Sequence, residues 1–177
     1  VTDNFTYTLP AIFSETLSKY PKSWAYAFAW EEPMNWETVS ARIASLALLL
    51  NNAGVVAGDR VAILSANQPN WAIAYFAITF SGAVVVPILP DFSPVEVKNV
   101  LEHSGAKFMF VSSGLLAKVE GLKVETLETL VLTEDFSIVS SPQNIEPFNL
   151  LSTFEFKNGV KEDDLASIIY TSGTTGR

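Results

Sequence analysis

The chain of 177 residues contains no cysteine. That excludes a disulfide framework and any metal centre built on thiolates. Histidine is almost as scarce. His103 stands alone, so a Ser-His-Asp or Cys-His arrangement must use it or be absent. Positive charge is also short: 11 Lys and Arg face 19 Asp and Glu, for a formal net charge of −8 and a pI near 4.6. Such a balance excludes a nucleic-acid backbone as the expected partner. Val1 to Pro10 has no basic region ahead of an apolar stretch, so no cleavable export signal is visible.

Charge of either sign is thin, at 17% of residues against 49% apolar. A chain of this size and composition can close one core and has little reason to stay disordered. Trp71 to Leu89 gives nineteen residues without a charge, close to the ~20 needed to cross a bilayer. Ser81-Gly82 breaks it, and Val84-Val85-Val86-Pro87 follows. It is therefore predicted to be a buried helix running into a buried strand, with no transmembrane segment. Peripheral association with a membrane stays open, and the missing cysteines fit a cytoplasmic setting.

What is present alternates between helix and strand. Leu9 to Tyr20 is predicted helical, with Phe13 and Leu17 one turn apart, and Trp24 to Trp30 is a strand by its aromatic content. Thr38 to Asn52 carries Val39, Ile43, Leu46, Ala47 and Leu50 at helical spacing, with Ser40, Arg42 and Ser45 off the stripe and Gly54 as the stop. Arg60 to Leu64 reads as a strand and Pro69 to Phe80 as a helix apolar nearly all round. Ala83 to Ile88 is a β-branched run of the kind found in parallel sheets covered on both faces. Ser93 and Pro94 open a helix to about His103, with Gly105 beyond it. Strands are expected at Lys107 to Val111 and Leu130 to Thr133. Glu134 to Asp164 reads as a surface excursion with a short helix around Pro147 to Phe154. The alternation predicts an α/β fold, an open and mostly parallel sheet flanked by helices.

The last eight residues carry the clearest functional signal. An apolar run, Leu165 to Tyr170, reads as a buried strand, and it opens into Thr171-Ser172-Gly173-Thr174-Thr175-Gly176-Arg177. Glycine permits backbone N–H groups to converge, and hydroxyls add donors, so such a loop can cradle a phosphate. It is neither a Walker A loop nor a Gly-x-Gly-x-x-Gly turn, because only Thr174 and Thr175 separate its glycines. By composition alone a flexible polar linker is equally acceptable.

Other candidates weigh less. His103 falls in the last turn of a helix, where a cationic ring complements the negative helix end. Glu162, Asp163 and Asp164 read as a solvated turn rather than a metal cluster. Trp71, Tyr75 and Phe76 fall at helical spacing and read as core rather than a ligand slot.

The ordered string Tyr170-Thr171-Ser172-Gly173-Thr174-Thr175-Gly176 resembles the phosphate-loop signature of the adenylate-forming, AMP-binding enzymes, among them acyl-CoA synthetases and peptide-synthetase adenylation domains. Three upstream blocks extend the likeness: Gly58-Asp59-Arg60-Val61, Gly82-Ala83-Val84-Val85-Val86-Pro87 (with Phe80-Ser81 where the family usually has Lys-Ala), and Glu102-His103-Ser104-Gly105-Ala106-Lys107. Asn35-Trp36-Glu37-Thr38-Val39 sits where the family opens a long helix. The stretch from Asn67-Gln68-Pro69-Asn70-Trp71 to Tyr75-Phe76-Ala77-Ile78 looks most like the long-chain fatty-acid–CoA ligases.

The resemblance implies that residues 1–177 are the N-terminal portion of an AMP-binding domain, part of the large N-terminal domain of an acyl-CoA synthetase-like fold, ending inside the phosphate loop. It implies ATP, Mg2+ and CoA, with a small-molecule carboxylic acid, long-chain fatty acids foremost, joined to CoA through acyl-AMP. Thr171, Ser172, Gly173, Thr174, Thr175 and Gly176 are the implied nucleotide-binding residues. The metal-linked, ribose-binding and catalytic residues of the family come later, so this stretch alone is expected to be inactive. Two alternatives remain: an adenylation domain loading an amino or aryl acid onto a carrier protein, and a non-catalytic domain that keeps the fold.

Overall fold

A computed structural model describes residues 6–150 and 159–171. Helix α1 (Leu9–Lys19) starts where the Thr8 hydroxyl accepts the Ala11 N–H at 3.2 Å. A short antiparallel pair, β1 (Trp24–Tyr26) and β2 (Met34–Asn35), leads into α2 (Trp36–Asn52). The Asn35 side chain accepts the Thr38 N–H at 2.8 Å, which lets α2 begin two residues before the predicted Thr38. Then follow β3 (Arg60–Leu64), α3 (Pro69–Phe80), β4 (Val84–Ile88), α4 (Pro94–Ser104) and β5 (Phe108–Val111). A 3-10 turn (Ser113–Lys118), β6 (Thr129–Leu132) and β7 (Ile138–Ser140) close the order.

The five-stranded sheet has the order β4-β3-β5-β6-β7 and is parallel except for β7. Side chains alternate between its faces. Val61, Ile63, Val85, Phe108 and Phe110 pack with Phe13, Ile43 and Ile73 of α1, α2 and α3. On the opposite face, Ala62, Leu64, Val86, Met109 and Val111 pack with Val97, Val100 and Leu101 of α4. With both faces covered, β3 and β5 are continuous apolar runs, as parallel strands between two helical layers must be. This is the predicted α/β architecture.

Helix α4 is closed at both ends. The Ser93 hydroxyl accepts the Glu96 N–H, and the Glu96 carboxylate accepts the Ser93 N–H at 2.8 Å, a reciprocal capping box. Gly105 ends the helix at φ 64, where a side chain would be strained and its Cβ would meet Arg60 Nη2 at 3.0 Å. The stretch from Trp71 to Leu89 divides into α3 and β4, as expected. Among the described residues no helix is long and apolar enough to cross a membrane.

Several expectations fail, each for a tertiary reason. The strand expected over Trp24 to Trp30 stops at Tyr26, since the chain must turn back to pair with Met34–Asn35, and Trp30 takes φ 75 within that turn. Ser45, placed off the apolar stripe, is buried, and its hydroxyl donates to the Ala41 carbonyl at 2.8 Å. The excursion after Glu134 supplies β7, an antiparallel partner for β6. No helix forms over Pro147 to Leu150, and residues 151–154 of that expectation lie outside the described residues. Finally, Leu165 to Tyr170 is no buried strand: it touches the sheet at one bridge, Val85 with Ser167, and Leu165 and Ile169 are 59% and 73% exposed.

Candidate functional site

Proline in β4 explains why the segment around Ser167 pairs at a single bridge. The Val85 N–H donates to the Ala166 carbonyl at 3.0 Å, and the Ile168 N–H returns to the Val85 carbonyl at 2.9 Å. In this parallel register the next donor toward the segment is residue 87. Residue 87 is proline and has no N–H to give. The ladder therefore ends at Ile168, and the backbone from Ile169 is released from the sheet. Proline is tolerated there because its nitrogen faces the outer edge of β4 rather than β3.

After the release, alternation still sends Ile168 and Tyr170 toward the α4-side core, against which both are partly buried. Burial pushes the Tyr170 phenol above its ordinary range. Its hydroxyl lies 2.7 Å from Nδ1 of His103 in the last turn of α4, and the two rings meet edge-on with centroids 5.6 Å apart. Either group can donate in this contact, according to the tautomer of the imidazole. Upstream, the same segment is tied by the Tyr7 N–H, which donates to Glu162 Oε1 at 2.6 Å, and by Lys161 N–H to Asp164 Oδ2 at 2.7 Å. Glu162, Asp163 and Asp164 are thus surface turn residues.

Of the sequence-predicted site residues, Thr171 is described and exposed. Ser172, Gly173, Thr174, Thr175 and Gly176 lie outside the described residues. Among the described residues no three His, Asp or Glu side chains converge as a metal ligand set, and none of them is assigned to Mg2+. Trp71, Tyr75 and Phe76 pack against the core of α1–α3, with Trp71 and Tyr75 stacked at 5.4 Å. They are core, as expected.

The contact of His103 with Tyr170 was missed from sequence, because 67 residues separate the pair. The arrangement around Arg42 was missed too. Its guanidinium donates to Asn70 Oδ1 at 3.0 Å and sits 5.8 Å and 5.7 Å from the Phe136 and Phe148 ring centres. Burial lowers its pKa. Asn70 in turn donates to the carbonyls of Thr133 and Glu134 at 2.9 Å and 2.6 Å. This network fastens the start of α3 to the end of β6 beside a cleft of about 380 Å³.

The family model described as AMP-binding enzyme matches residues 13–177. Gramicidin S synthase 2 of Brevibacillus brevis is 32% identical over 171 residues, covering 96% of this chain and 4% of that protein. A long-chain-fatty-acid–CoA ligase, FadD15 of Mycobacterium bovis, is 34% identical over 145 residues, covering 77% of this chain and 24% of its own length. Among solved structures, the anthranilate CoA ligase AuaEII, in complex with anthranoyl-AMP, superposes with a TM-score of 0.81 at 26% identity, over 97% of this chain and 33% of that one. The chain thus spans a minor part of each of these relatives.

Proposed function

The chain belongs to the AMP-binding enzyme family, and from that premise we propose that the protein activates a carboxylic acid with ATP for transfer to a thiol. Residues 1–177 are read as the N-terminal portion of the AMP-binding domain. The observation that carries this reading is the family match running through Tyr170-Thr171-Ser172-Gly173-Thr174-Thr175-Gly176.

The chemistry explains why a donor-rich loop is needed. A carboxylate resists thiol attack because oxide would have to leave. Attack of a carboxylate oxygen on the α-phosphorus of ATP breaks the bond to the β-phosphate, releasing pyrophosphate and forming acyl-AMP. A thiol then displaces AMP, giving a thioester. Negative charge gathers on the departing pyrophosphate, and hydroxyl and backbone donors are the groups that stabilise it. Thr174 and Thr175 are assigned direct phosphate contact, with Thr171, Ser172, Gly173 and Gly176 completing the loop.

Two acceptors have support. The likeness to FadD15 favours CoA as the thiol and a long-chain fatty acid as substrate. The likeness to gramicidin S synthase 2, over a larger share of the chain, favours a carrier-protein thiol and an amino or aryl acid. The test is carboxylate-dependent ATP–pyrophosphate exchange by the full-length protein, across fatty, aryl and amino acids. Exchange with one class names the substrate, and Thr174→Ala should lower it by about 10²-fold. A folded protein that exchanges with no acid overturns the reading in favour of a non-catalytic domain.

A further inference from the structure

The sheet lets go of the chain at Ile168, two residues before Tyr170 and three before Thr171. Among the described residues, the contact between Tyr170 and His103 is the last tertiary hydrogen bond before Thr171. His103 is well placed to act as an anchor. It lies on α4, whose first turn is locked by the Ser93–Glu96 capping box and whose end is set by the left-handed Gly105. Val97, Val100 and Leu101 of the same helix are buried under the sheet. Beyond the helix, the Arg60 guanidinium holds the Ser104 carbonyl at 2.7 Å and the Gly105 carbonyl at 3.2 Å. The anchor is therefore tied to β3, the centre of the sheet.

The geometry points to His103 and Tyr170 as a positioning pair that sets the direction in which Thr171 leaves the sheet, and through it the affinity for its ligand. That ligand is the phosphate chain of a nucleoside triphosphate, an assignment that rests on the function proposed above. Neither residue touches the reacting atoms. Pro87 completes the device by withholding the N–H that would otherwise continue the β pairing past Ile168.

The experiment uses the full-length protein with Tyr170→Phe, His103→Ala, their double variant and His103→Asn. Tyr170→Phe removes one hydroxyl from a half-buried ring, and His103 is exposed, so the fold is retained. Two readouts are taken. Amide hydrogen exchange across residues 165–177 should quicken to the same extent in both single variants and no further in the double variant, the signature of one shared interaction. In pyrophosphate exchange, KM for ATP should rise about three- to ten-fold, the size of one lost neutral hydrogen bond, with KM for the acid unchanged. His103→Asn, whose side-chain amide can occupy the place of Nδ1, should recover most of both effects.

Unchanged hydrogen exchange in all variants overturns the pair, whatever the activity. So does an ATP KM that stays at the parental value in an active protein. A parental protein that never exchanges pyrophosphate overturns the functional reading alone, and hydrogen exchange still decides the positioning role.

Discussion

Strand β3 and the segment 159–171 both run along the same sheet, and they are held in opposite ways. Each residue from Val61 to Leu64 is buried, and the strand is paired on one side with β4 and on the other with β5. The terminal segment is fastened by single contacts: Glu162 with Tyr7, a two-hydrogen-bond bridge with Val85, and Tyr170 with His103. Redundant pairing makes the centre of the sheet insensitive to any one hydrogen bond and highly sensitive to loss of volume. Sparse pairing makes the segment sensitive to individual hydrogen bonds and nearly indifferent to volume.

The largest effect should come from breaking the sheet's centre. Phe110 is wholly buried, with ring centres 5.0 Å from Phe108 and 6.0 Å from Phe136. Phe110→Ala should cost about 3–5 kcal/mol in urea or thermal unfolding. A loss below 1 kcal/mol would mean the core closes around the cavity and the contrast with the edge is overstated. Next comes Asn70→Ala, which strips the Thr133 and Glu134 carbonyls and Arg42 of a shared partner. About 1–3 kcal/mol should be lost, again by denaturation.

At the edge the effects become local. Pro87→Ala restores the missing donor opposite Ile168, so the ladder can advance to Tyr170. Amide exchange at Tyr170 should slow, while global stability moves by less than about 1 kcal/mol. If exchange at Tyr170 is unaltered, something other than the proline stops the ladder. Smallest is Ser167→Ala. The Ser167 hydroxyl is buried with no hydrogen-bond partner among the described residues, so its removal should be neutral or stabilising by up to about 1 kcal/mol. A clear destabilisation would reveal a partner for that hydroxyl.

Much of the scaffold was legible because its signals are local. Ser93 and Gly105 sit at helix ends for reasons of backbone satisfaction that involve residues three or four away. The β-branched run of β4 and the stripe of α2 follow from periodicity alone. Leu165 to Tyr170 misled for a complementary reason. Apolar composition says that a segment could be buried, but burial requires neighbours on both sides, and among the described residues this segment pairs only with β4. Trp24 to Trp30 failed in the same manner, since aromatic content cannot announce where a chain must turn to meet its partner. Of the candidate site, only Thr171 falls among the described residues, and phosphate contact by Thr171-Ser172-Gly173-Thr174-Thr175-Gly176 stands as the proposal made above.

By itself the sequence determined the alternating α/β order, the two ends of α4 and the family, all of them properties of residues near one another along the chain. Tertiary structure decided which edge of β4 receives Ala166 to Ile168, that the nitrogen of Pro87 faces that edge, and that Tyr170 meets His103 across 67 residues. These depend on strand register, and a shift of one residue would turn every side chain to the other face. Register is set only when the two cores close on either side of the sheet, so no local pattern could have carried it.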